Sequence, residues 1–461
     1  MKKIILLFIG LFAIAFTSDL FAQNVTIDGV FRPRFENRHG YQTIFPENAQ
    51  AGNFISQRSR LNLRFANDNF KVGFSLQNVG VWGETGTLSK KDVNGTMIYE
   101  AWGEILFNEK FSVKAGRQAI IYDDHRIFGS VDWAQQGRSH DAIILKYKQK
   151  EGCSVDFGFA YNALGESNQK ANYMQNNYKT FQYIHWHRNF GDFGVSLLFL
   201  NNGMAWINPN DTLDNGNAKE NVAYSQTIGT RVTYKKEKLS ANGAFYYQMG
   251  KRTMLGGTNA GNDTTMKIGA MYFAVDAAFQ VVENFSVGVG LEYLSGNDEK
   301  EISDNNGVQD QEKAFAPFYG TNHKFNGWMD YFYVGPGANN HWGTYGLMDI
   351  NIPLKFKKDK WTAALIPHFF STAGTIYRPE KDENFVDKAE MKEYAKGLGT
   401  EIDIMAGYTI SKAVAVKAGY SMMFASETME VLKGTQAKVG NTWGWVMFVF
   451  KPTFYKSDKS N

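Results

Sequence analysis

The chain has one cysteine, Cys153, and only nine prolines in 461 residues. A lone thiol excludes an intramolecular disulfide and a thiolate metal cluster. The scarcity of proline leaves room for long hydrogen-bonded strands. No Pro/Ser-rich linker, charge block or composition shift divides the sequence, so one large unit is expected. There is no excess of charge: the formal net charge is +3, and it falls closer to zero if Lys2, Lys3 and Asp19 leave with a leader. That balance gives no basis for nucleic-acid binding, and any charge effect has to be local.

The sequence also lacks a long apolar run. The longest, Ile4 to Phe16, follows two lysines and precedes the small residue Ala22, the layout of a secretory signal cleaved at residues 1–22. It is too short to cross a bilayer as a helix. Residues 23–461 are then one domain. The mean hydropathy of −0.37 suits a soluble protein, and it suits a transmembrane β-barrel as well, because lipid-facing and lumen-facing residues alternate and cancel. What is plentiful is aromatic residues: 36 Phe, 23 Tyr and 10 Trp, enough for girdles at two membrane interfaces.

Period-two alternation runs through the chain. Val25, Ile27, Phe31 and Phe35 alternate with Asp28, Arg32, Arg34 and Glu36, and Leu61, Leu63 and Phe65 alternate with Arg58, Arg60, Asn62 and Arg64. Strands follow at 70–80, 97–107, 111–121, 140–148, 153–164, 179–190, 193–202, 223–235, 239–250, 267–280, 285–295, 344–356, 361–373, 398–408, 413–425 and 440–450. Short connections such as Asn108 to Phe111 strictly alternate with long ones such as Asn202 to Val222, Gly296 to Gly343 and Ala373 to Lys396. A soluble sandwich has no reason to sort its loops in this way. A barrel with both ends on the short-turn side must. The expected fold is therefore all-β: a closed antiparallel transmembrane barrel of about 18 strands in a Gram-negative outer membrane, contacting lipid and inserted by the barrel assembly machinery. The last strand, Asn441 to Phe450, is apolar on both faces and looks like the assembly signal, with the residues after it hanging free.

Alternation places Arg32, Arg34, Arg58, Arg60, Arg64, Lys71, Lys114 and Arg231 on the lumen face, with Glu100, Glu104, Asp276, Glu292, Asp349, Glu401 and Asp403 on other sections of the same wall. Opposed rows of charge filter ions, and a ladder of planar guanidinium groups suits carboxylates or phosphates. The connection Tyr122 to Ser139 is expected to fold inward as a constriction, with Arg117, Arg126 and Arg138 near its edge and Asp141 in the same polar stretch. His185 and His187 share a strand face but lack a third ligand in register, so an interfacial aromatic patch outweighs a metal site. The acids of 295–313 do not have calcium-loop spacing. No nucleophile-elbow sequence supports hydrolysis. We expect no enzyme, no cofactor and no metal.

The motifs GRQAIIYDDHRIFG, then DW and QQGRSHDA, then GLEYLSGND with Phe315, Phe318, His323, Gly327 and Asp330, and finally LGTEIDIMAGY, resemble the alginate export porin family. The resemblance implies an 18-stranded barrel whose arginines conduct an anionic uronic-acid polymer. The chain has no long connection on the short-turn side to serve as a plug. Passive passage of small or oligomeric solutes, anionic saccharides among them, is therefore the leading expectation. Export of an acidic exopolysaccharide and an outer-surface adhesin or receptor barrel are the alternatives.

Overall fold

In the computed structural model, residues 24–149, 152–168, 177–212, 218–253, 265–332 and 345–457 are described. The leader expected at residues 1–22 lies outside them. The strands are β1 (Asn24–His39), β2 (Gly52–Ala66), β3 (Phe70–Val81), β4 (Met97–Leu106), β5 (Phe111–Gln118) and β6 (His140–Lys148). Next come β7 (Ser154–Tyr161), β8 (Tyr178–Phe190), β9 (Phe193–Thr212), β10 (Ala218–Lys236), β11 (Leu239–Thr253), β12 (Thr265–Val282) and β13 (Phe285–Leu294). The chain then forms β14 in two segments (Leu347–Asn351 and Leu354–Lys358), β15 (Trp361–Ser371), β16 (Gly397–Ser411), β17 (Val414–Ala425) and β18, again in two segments (Asn441–Phe450 and Thr453–Lys456).

Pairing is antiparallel between neighbours throughout. β18 closes onto β1 through Phe31↔Phe450 to His39↔Thr442, so the sheet has no edge. Its 20 segments make 18 strands, because β14 breaks at Pro353 and β18 at Pro452, where a ladder N–H is missing. Beyond Pro452 the ladder resumes, with Thr26↔Lys456 and Ile27↔Tyr455. The residues after Phe450 therefore do not hang free as expected: the Pro452 carbonyl accepts from Gly29 N at 3.0 Å and carries the strand across the gap.

Phe31, Phe35, Leu61, Ile143, Leu145, Phe157, Phe199, Ile228, Phe245, Val289, Ile404 and Phe448 all point outward and are exposed. A continuous apolar belt of this extent has no place in water and is the lipid face of a barrel. At the short-turn end outward rings pair across neighbouring strands, Phe111 with Tyr147 at 4.8 Å, Phe193 with Tyr234 at 4.8 Å and Trp361 with Tyr408 at 4.6 Å. They form the expected aromatic girdle on that side. A closed, even-stranded antiparallel barrel with this belt is a Gram-negative outer-membrane protein.

The long side holds more regular structure than the sequence suggested. β9 and β10 continue through most of Asn202 to Val222, still paired at Ile207↔Glu220. A hairpin (Ile376–Lys381 with Asp387–Tyr394) occupies the connection read as a plain loop from Ala373 to Lys396. Strands beyond the membrane need no apolar face, so Asn-, Asp- and Glu-rich segments hide them. Two short helices, α1 (Glu299–Asp304) and α2 (Glu427–Lys433), cap other long connections.

Candidate functional site

Two long connections leave the rim and enter the bore. The first, residues 119–139 between β5 and β6, crosses it. Asp123 accepts from Ser196 at 2.6 Å and pairs with His185 at 3.2 Å, on β9 and β8. Asp124 pairs with Arg231 of β10. Arg126, fully buried, pairs with Glu292 of β13 and lies 3.7 Å from the Phe325 ring centroid. The tip then turns back to β1 and β2. Arg58 donates to Asp132 Oδ1 at 2.6 Å, to Ala134 O at 2.6 Å and to Gln135 O. Arg32 donates to Trp133 O at 3.1 Å, Ala134 O at 3.2 Å and Gln135 Oε1 at 3.1 Å, and Arg34 to Trp133 O at 2.9 Å. Burial pushes the Asp132 carboxyl up, but the guanidinium groups of Arg58 and Arg32 outweigh that and hold it below its ordinary range.

The second connection, described over residues 295–332, meets the first. Gly129 N donates to Tyr319 O and Thr321 N to His125 O, both at 2.9 Å, and Phe128 stacks on Tyr319. Gly320 sits where a Cβ would lie 2.3 Å from Arg126 O, so only glycine allows this approach. Val131, a β-branched residue at φ 50°, is held in the left-handed region with its N–H bonded to Thr321 Oγ1 at 3.0 Å. Farther round, Glu401 accepts from Met329 N at 2.8 Å and Asp403 from Trp328 N at 3.1 Å. The two connections form one internal body.

The predicted site residues fall into five groups. Arg32, Arg34 and Arg58 are on the lumen wall and hold the tip of the first connection. Arg60 and Arg64 are on the same wall and do not touch it: Arg60 binds Gln77 Oε1 at 2.7 Å over the Tyr99 ring, and Arg64 binds Glu100 at 2.6 Å. Arg126, Arg138, Arg231, Glu401 and Asp403 face inward and join wall to connection or one connection to the other, Arg138 through Gly320 O at 2.9 Å. Asp349 is inward and buried against His368, 2.9 Å away. Arg117 and Asp141 are a correction. They pair at 2.7 Å on the outer face of the barrel, in phase with Ala115, Ile143 and Leu145. Alternation along β5 and β6 puts both outside, and the end of β5 at Gln118 rather than residue 121 puts them at the rim.

Arg126 does not edge an aperture, because it is completely enclosed. His185 is buried on the lumen side with Asp123 rather than in an interfacial patch, and no group of three or more metal-ligating side chains occurs among the described residues. The acids of 295–313 are largely matched by bases, Glu301 with Lys313 at 2.6 Å and Glu312 with Arg252 at 3.7 Å.

The inner apolar wall is not among the expected site residues. Phe181, Tyr183, Leu198, Leu200, Tyr272, Trp443 and Trp445 all face the bore and are buried by the two connections. Trp133 packs on Trp445 at 4.9 Å and stacks on His323 at 4.7 Å. The signal was there in Leu197–Leu200 and in β18, which are apolar on both faces. On β2 and β3 lumen side chains toward the short-turn end are partly exposed. Beside that wall the side chain of Asp132 is 54% exposed, Lys71 45% and Arg64 33%.

The barrel is similar in fold to solved outer-membrane channels. It superposes on Pseudomonas aeruginosa OccK8 (OprE) with a TM-score of 0.55 at 8% identity, covering 94% of this chain and 98% of that one. For P. aeruginosa OpdK with vanillate the TM-score is 0.54 at 11% identity, over 93% and 99% of the two chains. For a BenF-like porin from Pseudomonas fluorescens it is 0.54 at 10%, over 94% and 100%. At such identities the likeness establishes the fold alone. No protein-family model and no curated protein matches the chain, so the resemblance to the alginate export family finds no support there.

Proposed function

We propose that this protein is an outer-membrane porin through which small or oligomeric solutes, anionic ones among them, cross passively along the wall of β1 to β5. The observation that carries the reading is the division of the bore. Apolar wall lies under the two connections, whereas water reaches Asp132, Arg60, Arg64, Lys71 and Lys114 on the opposite side, where Lys114 rests on Trp102 at 3.8 Å. Cations lining a low-dielectric passage raise the local concentration of anions. The vanillate in the OpdK structure is a carboxylate of the class proposed here. No feature of the bore favours an exporter of acidic polymer over this reading.

The test is planar-bilayer recording with reversal potentials in a KCl gradient. Arg60→Gln with Arg64→Gln removes two lumen cations without touching the tip of the first connection. We expect the anion-to-cation permeability ratio to fall, most at low salt where screening is weak. Folded protein that passes no current would overturn the proposal.

A further inference from the structure

Asp132 is placed unlike the other acids that hold the first connection. Its carboxylate lies against two buried guanidinium groups, with Oδ1 2.6 Å from Arg58 Nη1 and Oδ2 3.5 Å from Arg32 Nη1, while about half of its side chain faces the open lumen. The tip does not depend on that carboxylate for its position. The carbonyls of Asp132, Trp133, Ala134 and Gln135 and the Gln135 side chain all accept from Arg32, Arg34 or Arg58, and Gln135 Nε2 donates to Ser56 Oγ at 3.1 Å. Carbonyl oxygens satisfy donors but do not neutralise charge. Glu36 is shared between Arg34 and Arg38, each at 2.9 Å, and Arg60 has no carboxylate partner among the described residues. Among the described residues Asp132 is therefore the one carboxylate on the Arg32–Arg58 pair, and it reaches the pair from the solvent side.

We infer that Asp132 is a built-in occupant of a carboxylate site on Arg58 and Arg32, which a carboxylate-bearing solute must displace, so that Asp132 sets how tightly the passage holds its anionic solutes. Exchange conserves charge. The solute carboxylate takes the guanidinium donors, the Asp132 side chain swings into the water it already faces, and the backbone contacts keep the tip in place. The displaced carboxylate stays close by, so the bound solute is readily expelled again. A channel benefits from a site strong enough to select but weak enough to release.

The inference rests on the porin reading, and two measurements separate them. Benzoate is the probe. Its affinity for detergent-solubilised protein is measured by titration calorimetry, and its block of ion current in planar bilayers is measured separately. Asp132→Asn keeps the side-chain size and an acceptor for Arg58 while removing the charge, and Asp132→Ala removes both. Folding is checked by heat-modifiable migration. Both variants are expected to bind benzoate several-fold more tightly, to be blocked at correspondingly lower benzoate, and to show a raised anion-to-cation ratio. Unchanged or weaker binding in both would overturn the inference, even if Arg60→Gln with Arg64→Gln shifts selectivity as the porin reading requires. Tighter binding in folded variants that carry no current would support the role of Asp132 and sink the porin reading alone.

Discussion

Replacing Arg126 by Met is the sharpest perturbation of the internal body. The side chain is fully enclosed, paired with Glu292 and flanked by the rings of Phe325 and Tyr272. Removing one partner of a buried ion pair costs about 3–5 kcal/mol, because the other charge is left uncompensated. Here the loss sits at the lower end. Glu292 keeps Asn326 Nδ2 at 2.8 Å and the Tyr272 hydroxyl at 3.1 Å, and Met fills most of the volume between the rings. A cost of about 3 kcal/mol moves the ratio of docked to undocked connection by roughly 150-fold. The barrel itself is held by strand pairing that this change does not touch, so the effect is local. We expect Arg126→Met to fold, to populate a higher-conductance state in single-channel records, and to become cleavable by trypsin at Arg138. Adding Glu292→Gln removes the stranded charge and should restore most of the docked population, giving a coupling of about 2 kcal/mol. Wild-type conductance and trypsin resistance in Arg126→Met, or a double variant no better than the single, would refute the pinning role assigned to this pair.

Acid should leave the Asp132 carboxylate paired with Arg58 and Arg32 down to pH 5. The Asp132 carboxyl is held below its ordinary value of 3.8, so its contribution is complete above that value and is lost only as pH falls through the lower folded one. An anion-to-cation ratio that rises between pH 7 and 5 in the wild type but not in Asp132→Asn would contradict this. Trypsin added to intact cells should cut at exposed Lys90 or Lys91 in the 82–96 connection and spare Lys110, Lys236 and Lys358 in the short turns. Cleavage at Lys236 would reverse the orientation. Gly320→Ala places a methyl group 2.3 Å from Arg126 O, an overpacking cost of about 1–3 kcal/mol. If the two connections are one body, trypsin sites at Arg138 and Lys324 should open together; opening of only one would show that they dock separately.

The barrel was legible because its evidence is local and repeated. Alternation at Phe31–Arg32 or Leu61–Asn62 fixes which face meets lipid, and tight turns such as Asn108 to Phe111 fix where each pair of strands reverses. The inward connection was legible from its composition, since Ile127, Phe128 and Trp133 need a surface and Asp123, Asp124 and Arg126 need partners. The partners themselves were not legible. Arg231 and Glu292 lie 107 and 166 residues from the acid and arginine they meet, and no periodicity encodes such a pairing. Arg117 and Asp141 failed for another reason. Alternation with Ala115 and Ile143 already puts them outside; their charge is no sign of the lumen, because at the rim, beyond the lipid belt, charge is equally at home on both faces.

The arginine ladder gains a graded meaning from the register. Descending the wall from the long-loop side come Arg34 opposite Ser56, Arg32 opposite Arg58, then Arg60 opposite Val30, and last Arg64 opposite Thr26. A connection lying inside a barrel exposes backbone carbonyls that have no strand to pair with, and each must find a donor. Arg34, Arg32 and Arg58 provide those donors, so the rungs nearest the outside build the barrier. Arg60 and Arg64 lie beyond it and keep their field for the lumen. Asp132 stands between the two sets, holding the last rung of the first and facing the first rung of the second. One row of like residues thus both narrows the bore and charges what remains of it, and the boundary between these tasks falls at a single exchangeable carboxylate.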